Sequence, residues 1–207
     1  MVERQLRRRG ICEQPILDAF LAVPRELFVA PDLAHFAYGD HPLPIASGQT
    51  ISQPYVVAMM IQAAGIKAGD RVLEVGAGSG YAAAVISRIV ARVIAIERQP
   101  ELVEIAAERL ARLGFDNVTI AQGDGTRGWP GAAPYDAILA AASGSHVPPA
   151  LIDQLAPGGR LVMPLGGPGE SQDLVKVSKR ENGSLERESL GAVRFVPLIG
   201  AEGWSAP

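Results

Sequence analysis

The sequence predicts an α/β fold: a mostly parallel, twisted sheet with helices on both faces, ending in antiparallel C-terminal strands. Three observations carry this. Between residues 70 and 165, short apolar runs alternate with helical periodicities, the pattern of strand–helix–strand units in a parallel sheet. The first of those runs leads directly into Gly76-Ala77-Gly78-Ser79-Gly80, a tight strand-to-helix turn of the kind that lets a backbone approach a ligand. Beyond residue 166 the alternation stops, and two extended runs flank Glu181-Asn182-Gly183, a hairpin signal.

Length and composition limit what the fold can serve. At 207 residues with 48% hydrophobic content, one domain with a full core is expected, without metal or disulfide staples. Nineteen Lys+Arg against twenty-two Asp+Glu, a net charge of −3, lack the basic excess of a nucleic-acid binder. The single cysteine, Cys12, forms no intrachain disulfide, so a reducing cytoplasm is the expected compartment. No apolar stretch follows the N-terminal arginines as a signal peptide requires, and no window approaches the ~20 residues of a membrane span.

In the first forty residues, Ile16, Leu17, Phe20 and Leu21 form one apolar helix face that Pro24 ends or bends. The basic run Arg7-Arg8-Arg9 reads as a solvated helix face. Residues 39–54 are rich in Gly, Pro, Ser and Thr, and a loop this long inside a domain is often functional. Helical spacing resumes at Tyr55, with Pro54 suited to the first turn and Ser52 or Gln53 to the cap. Thr50, Ile51 and Ser52 would then sit at a helix N-terminus, where free N–H groups favour an anion.

In the alternating region, strands are expected at Arg71–Val75, Val93–Ile96, Val118–Ala121, Tyr135–Ala140 and Arg160–Pro164. Helices are expected at Tyr81–Val90, along the Leu102, Ala106, Leu110, Leu113 face, and at Ala150–Leu155, the last stopped by Pro157-Gly158-Gly159. Asp173–Lys179 and Ser184–Leu190 form the hairpin, and Val193–Leu198 a final strand.

Acidic residues punctuate the strand ends. Glu74 lies one residue inside the first strand, and Glu97 ends the second, where a carboxylate can accept both hydroxyls of a ribose. Gly123-Asp124-Gly125 follows the third, and a carboxylate there would reach the same crevice, the plain alternative being an Asx turn. A dinucleotide fingerprint would need glycine at 81, and Tyr81 stands there instead.

The sequence E-V-G-A-G-S-G-Y, then A-I-E, then G-D-G resembles the class I S-adenosylmethionine-dependent methyltransferases, which implies their Rossmann-like fold. L-P-I-A-S-G-Q-T-I-S-Q-P-Y-V-V-A at 43–58, Q-L-A-P-G-G-R-L-V-M-P-L-G at 154–166 and V-R-F-V-P-L-I-G at 193–200 are similar to the protein-L-isoaspartate O-methyltransferase family. The resemblance implies S-adenosyl-L-methionine as cofactor. Gln49, Thr50, Ile51, Glu74, Gly76, Ala77, Gly78, Gly80, Tyr81, Glu97, Arg98, Asp124, Gly125 and Thr126 match positions that hold it. It implies Ser52 as the active-site serine. Ile51, Ser52, Gln53 and Pro54, with Val193, Phe195, Val196, Pro197 and Leu198, match the positions that receive the substrate. One departure is Thr126, where the family often has an aromatic residue. The chain then divides into an N-terminal helical, lid and substrate segment (1–54), a cofactor-binding core (55–166) and C-terminal strands (167–207), one domain throughout.

The residues permit the matching chemistry. No cluster has metal-ligand spacing, and bases are scarce: His35 and His41 precede the sheet and His146 follows its fourth strand. A carboxylate, with a pKa near 4, is already ionised at pH 7 and needs no base. The resemblance therefore implies an enzyme, acting as a monomer, that methylates the α-carboxylate of isoaspartyl residues in damaged proteins. The competing readings are a small-molecule O-methyltransferase and a cofactor-binding module without catalysis.

Overall fold

The computed structural model describes residues 1–205; Ala206 and Pro207, the end of the expected C-terminal segment, lie outside the described residues. Irregular helical turns surround α1 (Gln14–Ala22), and a two-residue hairpin, β1 (Leu43–Pro44) and β2 (Thr50–Ile51), leads into α2 (Pro54–Ala64). The core continues through β3 (Arg71–Val75), α3 (Tyr81–Ser87), β4 (Arg92–Glu97), α4 (Pro100–Arg112), β5 (Val118–Gln122) and β6 (Tyr135–Ala140). It closes with α5 (Pro149–Asp153), β7 (Leu155–Leu165), β8 (Gln172–Lys179) and β9 (Leu185–Val193).

The main sheet has the order β5-β4-β3-β6-β7-β8-β9. Pairs from β5 to β7 are parallel, and β7–β8 and β8–β9 are antiparallel. The mixed sheet is therefore as expected. After β3 the chain winds outward to β4 and β5, then returns to β6 on the other side, so strand order reverses beside β3. Open α/β sheets bind ligands at the carboxyl edge of such a reversal.

Strand alternation divides the core. Val72, Val93, Ala95, Ala137 and Leu139 pack against α1, α2, α3 and the N-terminal turns, whereas Leu73, Val75, Ile94, Ile96 and Ile138 pack around Leu151 of α5, Leu155 and Leu198. Glu74 and Glu97 share the parity of Val72 and of Val93 and Ala95, so both carboxylates belong to the first face. Their neighbours there are the helices that open on the functional loops.

Several elements differ from expectation. α3 ends at Ser87 rather than Val90, because Ser87 Oγ donates to Ala84 O (2.7 Å) and Asn117 Nδ2 donates to the carbonyls of Ser87 and Val90 (2.9 and 3.2 Å). α5 ends at Asp153, and Pro157-Gly158-Gly159 lies inside β7, where the pairing with β6 slips between Tyr135 and Ala137. Residues 194–198 are not a strand of the sheet; β9 ends at Val193. The arginine run is only partly a solvated face. Arg9 pairs with Asp40 (2.5 Å) and lies over the Tyr55 ring (3.3 Å), joining the N-terminal turns to α2.

Candidate active site

A cavity of about 1150 Å³ opens at the carboxyl ends of β3 and β4. Its floor is the turn after β3. Gly76 and Ala77 donate to Ile96 O (2.9 and 3.0 Å), which ties the turn to β4. Gly80 has φ +84°, and a Cβ there would stand 3.2 Å from Leu110 Cδ1. This glycine lets α3 pack on α4; it does not line the cavity, unlike Gly76, Ala77 and Gly78. Gly125 does line it, and a Cβ there would meet Val75 Cγ1 at 2.5 Å. Only glycine lets that backbone come so close to β3.

The two strand-end glutamates sit differently. Glu97 is 7% exposed, and its carboxylate accepts N–H bonds from Gly78 (3.0 Å), Arg98 (2.7 Å) and Gln99 (3.0 Å). Three donors leave further lone pairs for a ligand's hydroxyls. Glu74 is 2% exposed, and its Oε2 has no hydrogen-bond partner. Burial first, and the Glu97 carboxylate second, push Glu74 well above the usual carboxylate range. A buried acid facing a cavity with one oxygen unpartnered, its Ala83 N–H bond too weak to offset the burial, fits a ligand that brings positive charge.

Tyr81 opens α3 and lines the cavity. Phe20 and Phe28 pack edge-on against it at 6.2 and 5.4 Å, and the Arg25 guanidinium lies 5.0 Å from its ring centroid. Arg25 is fully buried and donates through Nε to Ala37 O (2.7 Å). The N-terminal segment thus clamps the residue that stands where a dinucleotide fold has its third glycine.

The opposite wall comes from 47–53, where Gln49, Thr50, Ile51, Ser52 and Gln53 all line the cavity. Ser52 also borders a smaller pocket of about 30 Å³ that it shares with Glu74. Of the two expected cap positions, Ser52 and Gln53, the structure uses the second. Gln53 is the N-cap and makes no side-chain cap bond. Asp40, from the preceding loop, takes the Tyr55 N–H (3.3 Å) and Gln53 Nε2 (2.8 Å) instead. The first free N–H of α2 is therefore already occupied, and Pro54 neither lines the cavity nor carries an N–H. Among the described residues the Ser52 hydroxyl makes no hydrogen bond, so it is available to a ligand.

The third wall is 192–199 and includes Val193, Phe195, Val196, Pro197 and Leu198. Gln172, buried in β8, holds this segment outside the sheet: Phe195 donates to its Oε1 (2.7 Å), and its Nε2 donates to Phe195 O (3.1 Å). Ser143 donates through its backbone to Val196 O and accepts from Leu198 N–H, both at 2.8 Å. The Gln172 side chain and one isolated parallel bridge at Ser143 replace the ladder that the expected final strand would have used.

Besides Gly80 and Pro54, two predicted residues, Asp124 and Thr126, are not brought to the cavity. The Asp124 carboxylate accepts from Thr126 N–H (2.9 Å), Thr126 Oγ1 (2.7 Å) and Ala201 N–H (2.8 Å). Burial alone would raise its pKa; these bonds and Arg127 outweigh that and leave it lowered. Thr126 is fully buried and accepts from Glu202 N–H (3.2 Å). The pair caps a turn and anchors residues 201–202, the Asx alternative. Arg98, by contrast, lines the cavity. None of the three histidines does; His146 is exposed, with Nδ1 3.0 Å from Ser145 Oγ.

A reversed strand order with a glycine turn, a glutamate after the second strand and a crevice between them defines a Rossmann-like methyltransferase. The sequence model of the protein-L-isoaspartate(D-aspartate) O-methyltransferase family matches residues 1–203, and the chain belongs to that family. It is 51% identical over 207 residues to a protein-L-isoaspartate O-methyltransferase of Rhodopseudomonas palustris, covering all of this chain and 95% of that one. A solved protein-L-isoaspartate O-methyltransferase superposes with a TM-score of 0.87 at 32% identity, over 98% of this chain and 67% of that one. A Plasmodium falciparum protein assigned to the same activity, solved in complex with S-adenosyl-L-homocysteine, gives 0.82 at 28% identity, over 96% of each chain.

Proposed function

We propose that this protein is an S-adenosylmethionine-dependent protein-L-isoaspartate O-methyltransferase, an enzyme that esterifies the free α-carboxylate of L-isoaspartyl residues in damaged proteins and peptides. The observation that carries the reading is one cavity walled by the 49–53 loop, the strand-end glutamates and the 193–198 segment, with no histidine in its lining. Full-length family membership supports it.

S-adenosylmethionine, when bound, supplies a methyl group on a cationic sulfonium. Glu97 would accept the ribose hydroxyls with its remaining lone pairs, and Gly76–Gly78 would let the backbone lie close to the amino-acid end. Glu74 would face that end's positive charge. The Ser52 hydroxyl would donate to the substrate carboxylate and orient it, helped by backbone groups of Ile51–Gln53. The 193–198 segment, held open by Gln172, would receive the peptide. A carboxylate nucleophile has no proton to lose, which is why the site needs no general base. Its charge falls as it approaches a cation, so positioning in a partly dry cavity is what this chain must provide. The following backbone nitrogen then attacks the ester carbonyl and expels methanol; the resulting succinimide hydrolyses partly to normal aspartyl, which completes a repair.

We read residues 1–207 as one domain and the protein as a cytoplasmic monomer acting on protein rather than nucleic acid. The exposed, unpaired Cys12 and the acidic net charge support this. No helix of the described residues is long and apolar enough to cross a membrane. The test is labelled methyl transfer to an isoaspartyl peptide beside its normal-aspartyl twin. Transfer to the first and not the second is expected, and equal labelling of both would refute the assignment.

A further inference from the structure

We propose that Glu74 is a neutral carboxylic acid in the cofactor-free protein and gives its proton to solvent when the cationic methionine end of the cofactor enters the cavity. Cofactor binding is then linked to the release of one proton. This deepens the reading of the site as a place for S-adenosylmethionine and rests on it.

The geometry is specific to Glu74. Its neighbour Glu97 is nearly as deep but accepts three N–H bonds, whereas Glu74 Oε2 accepts none. The side pocket around Glu74 is walled by Val57 and Met60 of α2, Ala82 and Ile86 of α3, Leu139 of β6 and Phe195. Its one other polar side chain is Ser52. The Ala83 N–H at the start of α3 favours the anion, but burial and the Glu97 carboxylate outweigh it and Oε2 stays without a partner, so the group takes a proton instead.

The charged groups nearby do not supply that partner. β4 brings Glu97, which is negative and adds to the burial effect. α2 and β6 bring no titratable group to either pocket. α3 brings the Tyr81 phenol, which burial keeps protonated, and the Ala83 N–H, an uncharged donor that offsets the burial of Glu74 only in part. Arg25, from the N-terminal segment, lies against Tyr81, while Arg98 and Arg194 line the cavity as exposed residues. None of these arginines forms a salt bridge with Glu74 among the described residues. A ligand ammonium is the missing counter-charge. The balance is simple: the Glu74 O–H bond breaks, the carboxylate stays to pair with the bound cation, and the proton leaves to buffer.

Calorimetry with S-adenosylhomocysteine tests this. Titrations at about pH 6.5, in buffers of different ionisation heat, count the protons exchanged while the ligand's α-amino group, with a pKa near 8, is already charged. Wild type should release protons on binding, up to one per ligand, and affinity should rise with pH over the same range, by at most about tenfold per pH unit. Glu74→Gln, checked by circular dichroism, should release none and bind with pH-independent affinity. Binding by wild type without proton release would overturn the proposal, as would undiminished release from folded Glu74→Gln. Failure of wild type to bind S-adenosylhomocysteine at all is a separate outcome, and removes the cofactor reading on which the proposal stands.

Discussion

The two halves of the cavity are built by different means. The half beneath β3 and β4 is local: strand, glycine turn, helix, strand and glutamate follow one another within residues 71–97, and the turn is bonded to its neighbouring strand through Ile96 O. The half formed by 47–53 and 192–199 is assembled from afar. Its shape depends on Asp40 reaching Tyr55, Gln172 reaching Phe195, and Ser143 reaching Val196 and Leu198. In the proposed function, a cofactor common to many methyltransferases would be met by the local half. The half proposed to suit one substrate is held by side-chain and backbone bonds at long sequence distance, where single substitutions, such as those of Gln172 or Asp40, can reshape it without disturbing the sheet.

Ser52→Ala should separate the halves most widely. The hydroxyl has no structural bond among the described residues, so its loss should leave the fold and S-adenosylhomocysteine affinity unchanged. Turnover should fall about ten- to a thousandfold if the hydroxyl acts mainly on the transition-state geometry. At saturating cofactor, the pH–rate curves of wild type and variant should both lack an inflection near histidine's pKa of ~6.5. Full activity in Ser52→Ala would remove the serine from the mechanism. A histidine-like inflection lost in His146→Ala would revive a hydroxyl-bearing small-molecule substrate.

A paired measurement sharpens the contrast. Glu97→Ala leaves three backbone N–H groups and the ligand's hydroxyls without their acceptor, at a cost on the order of 1–3 kcal/mol. Cofactor affinity should fall about ten- to a hundredfold, while the KM for peptide, measured at saturating cofactor, holds. Gln172→Ala should do the reverse. It frees Phe195 N–H and C=O, and peptide KM should rise about tenfold with S-adenosylhomocysteine affinity unchanged. If both variants lower cofactor affinity equally, the halves are not independent and the long-range bonds belong to one rigid unit.

The same division marks what the sequence discloses. The parallel strands, the glycine turn, Glu74, Glu97 and the Asn-Gly hairpin each announce themselves through periodicity or fixed spacing over a few residues. So did the 43–58 and 193–200 segments, but through family resemblance; nothing in their spacing shows a cavity wall. Gln172 is an ordinary strand residue in sequence, and its role exists only because β8 passes beneath residue 195. Asp40 precedes the helix it caps by fifteen positions to Tyr55, far beyond the three-residue reach of capping rules. Asp124 misleads for the opposite reason: its strand-end position fits a ligand contact, but residues 201–202 fold back and occupy the carboxylate and Thr126.

Asp40 offers the smallest test, and the most exact one for how the substrate wall is tied down. Its carboxylate accepts the Tyr55 N–H at the start of α2, holds Gln53 Nε2 and pairs with Arg9. The helix bond resembles an N-cap, whose loss costs about 1 kcal/mol. The Arg9 pair is partly exposed and should add about 0–1 kcal/mol. Asp40→Ala should therefore lower Tm by about 2–4 °C for each kcal/mol lost in a chain of this size. Asp40→Asn can still accept the Tyr55 N–H, though it loses the charge that pairs with Arg9, so its Tm should fall between wild type and alanine. Because Gln53 lines the cavity and loses its anchor in the alanine variant, peptide KM should rise a few-fold, by an amount smaller than in Gln172→Ala. A drop in Tm with unchanged peptide KM would confine Asp40 to helix capping. An equal drop in asparagine and alanine would shift the stabilisation from the helix end to the Arg9 pair.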